Sequence, residues 1–383
     1  MPGFLVVFAA CSAFILCFHV ALAVGLLLNL CRETSLQAED GEGEGGDLRP
    51  EVIVALRDEE KTLPRLLESL DAQSIADCRF LFVNDRSRDG TPRLLDEFCA
   101  RVGPRARVIH NHGEPGGLTG KQAALDLAFA QARGDVLLFT DGDCVLPPTW
   151  AEEMLRHFRR PEIGVVLGRI ELAPGPTFLE RFQAFEQPLL NQYNLGSVGI
   201  GVPTGCFGNN MAVRSAALRD VGGFHRLGYS VTEDAMLLDA VCRRGGWKAA
   251  ACVSLRAAAT TVAKTRWKEY VEQHTRWNAG GLFSTDPVTR ISFIVVVLIY
   301  LVGSLLVLPL GALDARVPLL SLTSFLSIGL LAAVGGFYDG KRKGRYFAGL
   351  VPFVIFFEFF YSFITLRALA RRPFEWKGTA LRP

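Results

Sequence analysis

Four long and almost uncharged stretches constrain this chain more than any other feature of its sequence. They cover residues 4–30, 291–313, 317–337 and 346–366. Each is long enough to cross a hydrocarbon core of about 30 Å as a helix that rises about 1.5 Å per residue. Residues 50–290, in contrast, have the composition of a soluble protein and can form one sizeable core. The pattern predicts a membrane anchor, a globular domain and a C-terminal membrane bundle.

A cleaved signal peptide is the alternative interpretation of the first stretch. No Lys or Arg precedes it, and it is longer than the apolar core of about 7–15 residues in such peptides. Leu30 is also too bulky for the residue before a lipoprotein cysteine at Cys31. We therefore expect an uncleaved transmembrane anchor over residues 1–31. Residues 32–49 are largely acidic and Gly-rich, which predicts a flexible linker.

Charge and cysteine usage narrow the class of protein further. The formal net charge is +2 at pH 7 and there is no dense basic stripe, so we expect no nucleic-acid partner. Nine cysteines occur without a Cys-x-x-Cys pair, which favours reduced, buried thiols in a cytoplasmic domain. Six histidines lack the spacing of zinc ligands, so a structural zinc is not expected.

Short apolar runs alternate with amphipathic segments in the central part of the chain. Strands are predicted at residues 51–56, 79–83, 105–109 and 135–140, and helices at 62–73, 91–102 and 121–132. This alternation predicts an α/β fold with a mostly parallel sheet that is covered on both faces. Ligands of such sheets bind beyond the carboxyl ends of the strands, so polar residues at those ends are candidate site residues.

Three of the predicted strands end in acidic segments. Arg57 and Glu59 follow the first strand, and Asp85 ends the second. Taken alone, each segment is also compatible with an ordinary polar turn. The fourth strand is followed by Asp141 and Asp143, whose side chains point the same way in extended structure. Paired carboxylates of this kind hold a hard divalent cation and leave positions for diphosphate oxygens.

Two further motifs follow. Thr232-Glu233-Asp234 opens a predicted helix, where an acidic residue is also favoured simply as a cap. Gln273, Arg276 and Trp277 fall near one face of a later helix that leads into the membrane segment. An Arg and a Trp at this place are equally compatible with interfacial anchoring of the helix.

The combination of these motifs is specific. Asn-Asp, Asp-x-Asp, Thr-Glu-Asp and Gln-x-x-Arg-Trp occur in this order, at residues 84–85, 141–143, 232–234 and 273–277. The segment from about residue 50 to 281 thereby closely resembles the family-2 inverting glycosyltransferases of GT-A fold. It departs from them slightly at Asp58, where Asn is usual. The resemblance implies a GT-A catalytic domain at 50–283, membrane helices at 284–370 and a basic tail at 371–383.

The resemblance also implies a role for each motif residue. Asp85 is expected to contact the nucleotide with Arg57 and Glu59 nearby, and Asp141 and Asp143 are expected to hold Mg²⁺ or Mn²⁺. Asp234 is expected to be the general base for the acceptor hydroxyl, with a pKa raised by neighbouring carboxylates. Gln273, Arg276 and Trp277 are expected to cover the diphosphate and the acceptor opening, and Lys121 and Glu233 to contact the substrate.

The expected substrates are a UDP-sugar and a membrane lipid. One N-terminal and about three C-terminal helices resemble the layout of ceramide glucosyltransferases and of bacterial enzymes that glycosylate hopanoids or carotenoids, as does the segment at 374–378. Processive polysaccharide synthases share two of the motifs and are the alternative, although they generally carry more membrane helices. A catalytically inactive nucleotide-binding scaffold is a third hypothesis. The sequence leaves the oligomeric state open.

The topology of the C-terminal part is not fixed by the sequence. The donor predicts a cytoplasmic domain, and the basic loop at 340–345 also favours the cytoplasmic side. The tail at 367–377 is basic as well, although a further full crossing would place it outside. The segment that holds Pro352 and Glu358 is therefore either a spanning helix or a re-entrant one.

Overall fold

The computed structural model describes residues 3–38, 48–113, 118–173, 175–284, 286–300, 305–340, 344–371, 374–376 and 379–381. The chain divides into two compact units. One contains residues 28–173 and 201–262, and we call it the sheet unit. The other contains residues 1–27, 174–200 and 263–383, and we call it the helical unit. Each is described separately.

The sheet unit is built around seven strands. In chain order they are β1 (Pro50–Leu56), β2 (Arg79–Asp85), β3 (Ala106–Asn111), β4 (Val136–Phe139), β5 (Ile163–Leu167), β7 (Met211–Arg214) and β8 (Lys248–Ala251), and their order in the sheet is β3-β2-β1-β4-β7-β5-β8. The first four are parallel to one another, whereas β7 is antiparallel to both of its neighbours. Two further strands, β6 (Ile170–Leu172) and β9 (Ala259–Thr261), form a small separate parallel pair.

The helices of the sheet unit are amphipathic or short. They are α2 (Leu63–Asp71), α3 (Thr91–Val102), α4 (Gly120–Gln131), α5 (Trp150–Arg156), α7 (Ser215–Asp220), α8 (Gly223–Leu227) and α9 (Glu233–Asp239). Leu63, Leu66, Leu67 and Leu70 of α2 are buried, as their helical spacing predicts. Together with strand residues such as Val52 and Phe82 they form one continuous apolar core. The predicted α/β fold and its mostly parallel sheet are confirmed.

Helix α1 (Gly3–Ala38) belongs to both units. It continues past residue 31, where the anchor is predicted to end, because residues 32–38 contain good helix formers and Leu36 is buried. The rest of the predicted linker, residues 39–47, lies outside the described residues. The predicted domain boundaries therefore stay a prediction.

The helical unit contains the apolar stretches. Its elements are residues 3–27 of α1, α6 (Phe178–Gly199), α10 (Trp267–Leu282), α11 (Pro287–Tyr300), α12 (Val307–Gly311), α13 (Arg316–Tyr338), α14 (Gly344–Leu369) and a hairpin of β10 (Phe374–Trp376) with β11 (Thr379–Leu381). Helices α6 and α10 are thus grouped with the apolar helices rather than with the sheet.

Three helices are long and apolar enough to cross a membrane, within the part of the chain that the structure describes. They are α1, α13 and the segment Tyr346–Leu369 of α14. One N-terminal and two C-terminal membrane helices are therefore supported by length and composition. The stretch predicted at 291–313 falls instead on α11 and α12, with residues 301–304 outside the described set. Helix α14 continues through Pro352 without a break.

Polar side chains join the helices of this unit. The ring of His19 on α1 contacts Ser327 Oγ of α13 and Tyr193 Oη of α6, at 2.8 Å each. Ser324 Oγ donates to Glu358 Oε1 over 2.7 Å. The carboxylate of Glu358 therefore faces protein, as expected for an acidic group in an apolar helix.

Two glycines allow α1 and α6 to approach closely. A Cβ at Gly25 of α1 would fall on the carbonyl oxygen of Gly196, and a Cβ at Gly199 of α6 would fall on the carbonyl oxygen of Gly25. Backbone atoms cannot move aside as a flexible side chain can. The two helices therefore cross at small residues, as is common in membrane bundles.

We expect Gly25→Ala to destabilise the protein by about 1–3 kcal/mol or more, because the added methyl group overlaps backbone. The measurement is reversible denaturant unfolding of the full chain in detergent. Gly329→Ala is the matched control, since the nearest atom to a Cβ there is Val354 Cγ2 at 3.7 Å. Equal stability of the two variants would contradict the close crossing.

Candidate active site

The carboxyl ends of three neighbouring strands carry the first group of predicted site residues. β1 lies between β2 and β4 in the sheet, and its last pair with β2 is Leu56 with Asn84. The segments that follow these strands are therefore within about 10 Å of each other across the sheet. Arg57, Glu59, Asp85, Asp141 and Asp143 lie at this edge, so the structure brings the strand-end residues together.

Gly142 brings the segments after β1 and β4 into contact. A Cβ at this position would lie 2.6 Å from Leu56 Cδ2 and 2.8 Å from Glu59 Cγ. Any larger residue would push the two segments apart. The side chains of Leu56 and Glu59 thus pack against Gly142.

The segments after β1 and β2 are joined by hydrogen bonds. The backbone N–H groups of Asp58, Glu59 and Glu60 donate to Ser87 Oγ, Thr91 Oγ1 and Asp89 Oδ2 at 2.9–3.0 Å, and Arg88 N–H donates to Asp58 Oδ1 at 2.7 Å. Asp58 has φ +55° and Arg86 has φ +58°. Asp and Asn tolerate this left-handed conformation better than most residues. This conformation explains how Asp58 replaces the Asn that is usual in the family.

Asp85 is held in a fixed orientation. It is buried at the end of β2, and its Oδ1 accepts from Arg86 Nε and from Asn111 Nδ2, both at 2.9 Å. Asn111 is the residue paired with Asp85 on β3. No sequence motif indicates Asn111, because its contact with Asp85 depends on the strand register.

Lys121 lies at the centre of an acidic cluster. Its Nζ donates to Asp141 Oδ1 at 2.7 Å and lies 3.5 Å from Glu233 Oε1. Burial alone would lower the pKa of this amine, but attraction by Asp141, Glu233 and Asp234 outweighs it, so the pKa of Lys121 is raised above its ordinary value. Lys121 is therefore a permanent cation that neutralises carboxylates from two different segments.

Asp234 belongs to the same cluster. Its Oδ2 accepts from Gly208 N at 2.8 Å and its Oδ1 accepts from Ala235 N at 2.9 Å. Thr232, which precedes α9, makes no capping hydrogen bond with its side chain. Asp234 thus accepts hydrogen bonds both from the backbone of its own helix and from the backbone of the segment before β7.

These residues line one pocket of the sheet unit. Its lining is formed by Lys121, Leu125, Phe139, Thr140, Gly208, Met211, Phe224, Glu233 and Asp234. Three of the lining residues are charged, and α4, β4, β7 and α8 each contribute one apolar side chain. Thr140 precedes Asp141 directly, so the pocket adjoins the paired carboxylates after β4.

The paired carboxylates have the ligand chemistry that a divalent cation requires. Asp141 and Asp143 offer oxygen atoms only, which Mg²⁺ and Mn²⁺ prefer. The Cys144 thiol lies 3.7 Å from Asp143 Oδ1, and burial raises the pKa of this thiol well above its ordinary value. Cys144 therefore stays protonated and acts as a weak donor to Asp143. The residues present fit the expected ion.

The Gln-x-x-Arg-Trp motif belongs to the helical unit. Gln273, Arg276 and Trp277 lie half-buried on α10, as the helical spacing predicts. The three residues belong to a different unit of the chain from the residues at the ends of β1, β2 and β4.

A buried carboxylate that the sequence analysis missed fixes this helix. Glu186 of α6 accepts from Tyr270 Oη at 2.6 Å and from Tyr361 Oη at 2.7 Å, and its Oε1 lies 3.0 Å from Nε2 of His274. His274 lies inside the motif, and its ring centroid is 4.8 Å from that of Trp277. Its other nitrogen contacts the carbonyl oxygen of Tyr270 at 3.0 Å. Glu186 thus holds the helix that carries Arg276 and Trp277.

Comparison with known proteins supports the fold and identifies a family domain in part of the chain. A mannosyltransferase of Pyrobaculum calidifontis, PcManGT, solved with GDP-Man and Mn²⁺, superposes with a TM-score of 0.54 at 14% identity, over 94% of this chain and 99% of that one. At this identity the likeness concerns the fold. Residues 51–222 match the model of glycosyl transferase family 2.

Two curated relatives extend the comparison. The beta-monoglucosyldiacylglycerol synthase of Synechocystis sp. is 26% identical over 317 residues, which cover 76% of this chain and 63% of that protein. An undecaprenyl-phosphate 4-deoxy-4-formamido-L-arabinose transferase of Pseudomonas fluorescens is 33% identical over 117 residues, which cover 30% of this chain and 32% of that protein. The chain thus matches less than two thirds of the length of either relative.

The family match of residues 51–222 and the fold together identify a glycosyltransferase domain of GT-A fold. The chain carries a family-2 glycosyltransferase domain, which confirms the resemblance inferred from its motifs.

We expect Asp89→Ala to lower the stability of the protein by about 1 kcal/mol at neutral pH, since it removes acceptors from the N–H groups of Glu60 and Thr91. Burial acts to raise the pKa of Asp89, but these hydrogen bonds outweigh it and lower the pKa below the ordinary 3.8. The stabilisation by the Asp89 carboxylate is therefore complete at pH values above 3.8. It is lost as the pH falls through the lower pKa of Asp89 in the folded protein.

Denaturant unfolding of both proteins at several pH values measures this difference. Asp77→Ala, at an exposed carboxylate of the same unit, is the control. A difference between wild type and Asp89→Ala that stays constant below about pH 4, where the carboxylates of unfolded chains take up protons, would argue against this role.

We expect Glu186→Gln to destabilise the protein by about 1–3 kcal/mol, because it removes the charge that faces His274 in a buried site. Glu269→Gln on α10 is the control, since Glu269 forms only a partly exposed pair with Arg266 at 3.7 Å. Unfolding in detergent measures both. Equal stabilities would show that Glu186 does not fix the motif helix.

Proposed function

We propose that this protein is a membrane-bound inverting glycosyltransferase that moves one sugar from a UDP-sugar to the hydroxyl group of a membrane lipid. The observation that carries the proposal is the convergence of Asp141, Glu233 and Asp234 on Lys121, beside the carboxyl end of β4 in a family-2 domain. Three carboxylates and one ammonium group carry a net negative charge, so the cluster would bind an anionic sugar donor together with a divalent cation.

The donor is assigned to the edge formed by β1, β2 and β4. Asp85, with Arg57 and Glu59 nearby, is suited to the nucleoside, since Asp85 is held in one orientation by Arg86 and Asn111. Asp143 and Asp141 would hold Mg²⁺ or Mn²⁺. When bound, the ion neutralises charge on the departing diphosphate. The presence of Mn²⁺ in the structure of PcManGT agrees with this assignment.

Asp234 is proposed as the general base. Both of its oxygens accept backbone N–H groups, which fixes the carboxylate at the pocket wall. A carboxylate so placed can take the proton of an acceptor hydroxyl as that oxygen attacks the sugar carbon, and the attack inverts the configuration. Lys121 keeps Glu233 and Asp141 close together before the substrates arrive.

The motif on α10 is proposed to bind substrate. Arg276 is suited to diphosphate because its guanidinium group donates two parallel hydrogen bonds. Trp277 offers a flat apolar face for a sugar, and Gln273 adds a polar group on the same helix. The contacts of Glu186 with His274, Tyr270 and Tyr361 would keep this helix rigid while the substrates exchange.

A lipid acceptor is favoured over a growing polysaccharide. The Synechocystis relative is named for the synthesis of a glucosyl diacylglycerol, and the Pseudomonas relative for transfer to undecaprenyl phosphate. Three apolar helices of spanning length would keep the protein in the bilayer, where such acceptors are found. The sugar-nucleotide donor is cytoplasmic, so the domain is proposed to face the cytoplasm.

The proposal is tested with the full chain in lipid nanodiscs, a panel of UDP-sugars and a lipid extract, with product identification by mass spectrometry. We expect one hexose added to an extractable lipid in the presence of Mg²⁺ or Mn²⁺. Asp234→Asn should reduce turnover by about 10²–10⁴-fold, the usual contribution of a general base, and leave UDP-sugar binding unchanged. Asp143→Ala should weaken metal-dependent donor binding.

Asp77→Asn makes the same chemical change at an exposed carboxylate and should retain full activity. Near wild-type turnover by Asp234→Asn would refute its assignment as the base. A water-soluble product of high mass would favour the polysaccharide synthase instead. Metal-dependent nucleotide binding without hydrolysis or transfer of any sugar would indicate an inactive scaffold.

A further inference from the structure

A second group of potential metal ligands lies in the sheet unit, away from the pocket described above. Glu33, His157 and Cys252 each offer one ligand atom, and these three atoms all lie within 4.8 Å of one another. The residues are 5%, 3% and 0% exposed. No residue of this group lines the pocket that holds Asp234. The reaction proposed above does not use any of them.

Three separate segments supply the group. Glu33 lies near the end of α1, in the part of that helix that belongs to the sheet unit. His157 begins a short 3₁₀ turn, His157–Arg159, directly after α5. Cys252 directly follows β8, and its N–H donates to the carbonyl oxygen of Leu167 on β5. The three side chains therefore come from a helix, a turn and the segment after a strand.

Hydrogen bonds among the described residues leave some polar atoms of this group without a partner. Glu33 Oε2 accepts from Val253 N at 3.1 Å, whereas Glu33 Oε1 and His157 Nε2 have no hydrogen-bond partner among the residues that the structure describes. A buried carboxylate without full compensation is costly. An ion pair between the two residues does not satisfy these atoms, since His157 Nε2 lies 3.4 Å from Glu33 Oε2 without hydrogen-bond geometry.

We propose that Glu33, His157 and Cys252 bind one Zn²⁺ ion, or a divalent ion of similar ligand preference. A sulfur, an imidazole nitrogen and a carboxylate oxygen are the ligand types of zinc, whereas Mg²⁺ prefers oxygen ligands throughout. Cys252 binds as the thiolate, and its proton passes to solvent. Three protein ligands leave one tetrahedral position for a water molecule.

Glu153 is not counted as a ligand, although it is buried nearby. Its carboxylate pairs with Arg156 at 3.1 Å and with Arg256 at 3.2 Å. Two permanently charged arginines thus face Glu153, whereas the ion-pair partner of Glu33 is His157, which is charged only when protonated.

The consequence is structural. An ion at this position joins the end of α1 to the segments after α5 and β8 within the sheet unit. Because a bound ion stabilises only the folded arrangement of its ligands, the folded protein gains stability from the metal. The absence of zinc-ligand spacing in the sequence does not conflict with this site, since the ligands come from distant segments.

The test measures metal content in the full chain, purified in detergent without chelator and dialysed after incubation with equimolar ZnCl₂. We expect about one zinc per chain in the wild type and a decrease of at least about tenfold in Cys252→Ser and in Glu33→Gln, since each variant lacks one of the three ligands. Cys78→Ser is the matched control, because Cys78 is a buried cysteine of the same unit outside the group. It should retain the zinc, and so should Asp143→Ala.

Replacement of zinc by Co²⁺ gives an independent readout. Thiolate coordination produces a charge-transfer absorption in the near ultraviolet, which we expect in the wild type and in Cys78→Ser but not in Cys252→Ser. The proposal would be overturned if the wild-type protein binds no zinc or lacks this absorption, or if Cys252→Ser keeps its zinc. The wild-type measurements decide even if a variant does not fold. Loss of zinc in Asp143→Ala would place the ion at the donor site instead.

Discussion

The neutralisation of crowded carboxylates by Lys121 is the interaction on which the candidate site depends. Asp141 and Glu233 come from segments far apart in the chain, yet an oxygen of each lies within 3.5 Å of the same Nζ atom. Two carboxylates about 5 Å apart repel by about 3 kcal/mol at an effective dielectric constant near 20. The permanent charge of Lys121 removes this cost and therefore allows the acidic residues to share one pocket before any cation or substrate is bound.

The sequence predicted the part of the fold that depends on local patterns. Strands β1 to β4 and helices α2 to α4 lie within a few residues of their predicted positions, because apolar periodicity is a local property. The site residues at the ends of β1, β2 and β4 were predictable for a related reason. Parallel strands place their carboxyl ends on one edge, so acidic residues after these strands must be neighbours. The motif spacing then indicated the family, which the domain match confirms.

Other contacts at the candidate site join residues that are distant in the sequence, and no local sequence pattern predicts them. In the sequence, nothing distinguishes Glu186 from other charged residues. In the structure it is buried and contacts Tyr270, His274 and Tyr361 from two other helices. The same holds for Asn111, whose contact with Asp85 follows from the register of β2 and β3. The membrane helix predicted at 291–313 stays a prediction, since residues 301–304 lie outside the described residues.

Buried polar groups in the helical unit follow one physical rule. An apolar bundle gains little from burying apolar side chains when its surroundings are equally apolar, so hydrogen bonds and close backbone contacts must hold the helices together. His19 links α1 to α6 and α13, and Ser324 links α13 to α14 through Glu358. Gly25 and Gly196 supply the close backbone contact. Glu186 extends the same rule to α10, so the network that assembles the apolar helices also positions the motif that carries Arg276 and Trp277.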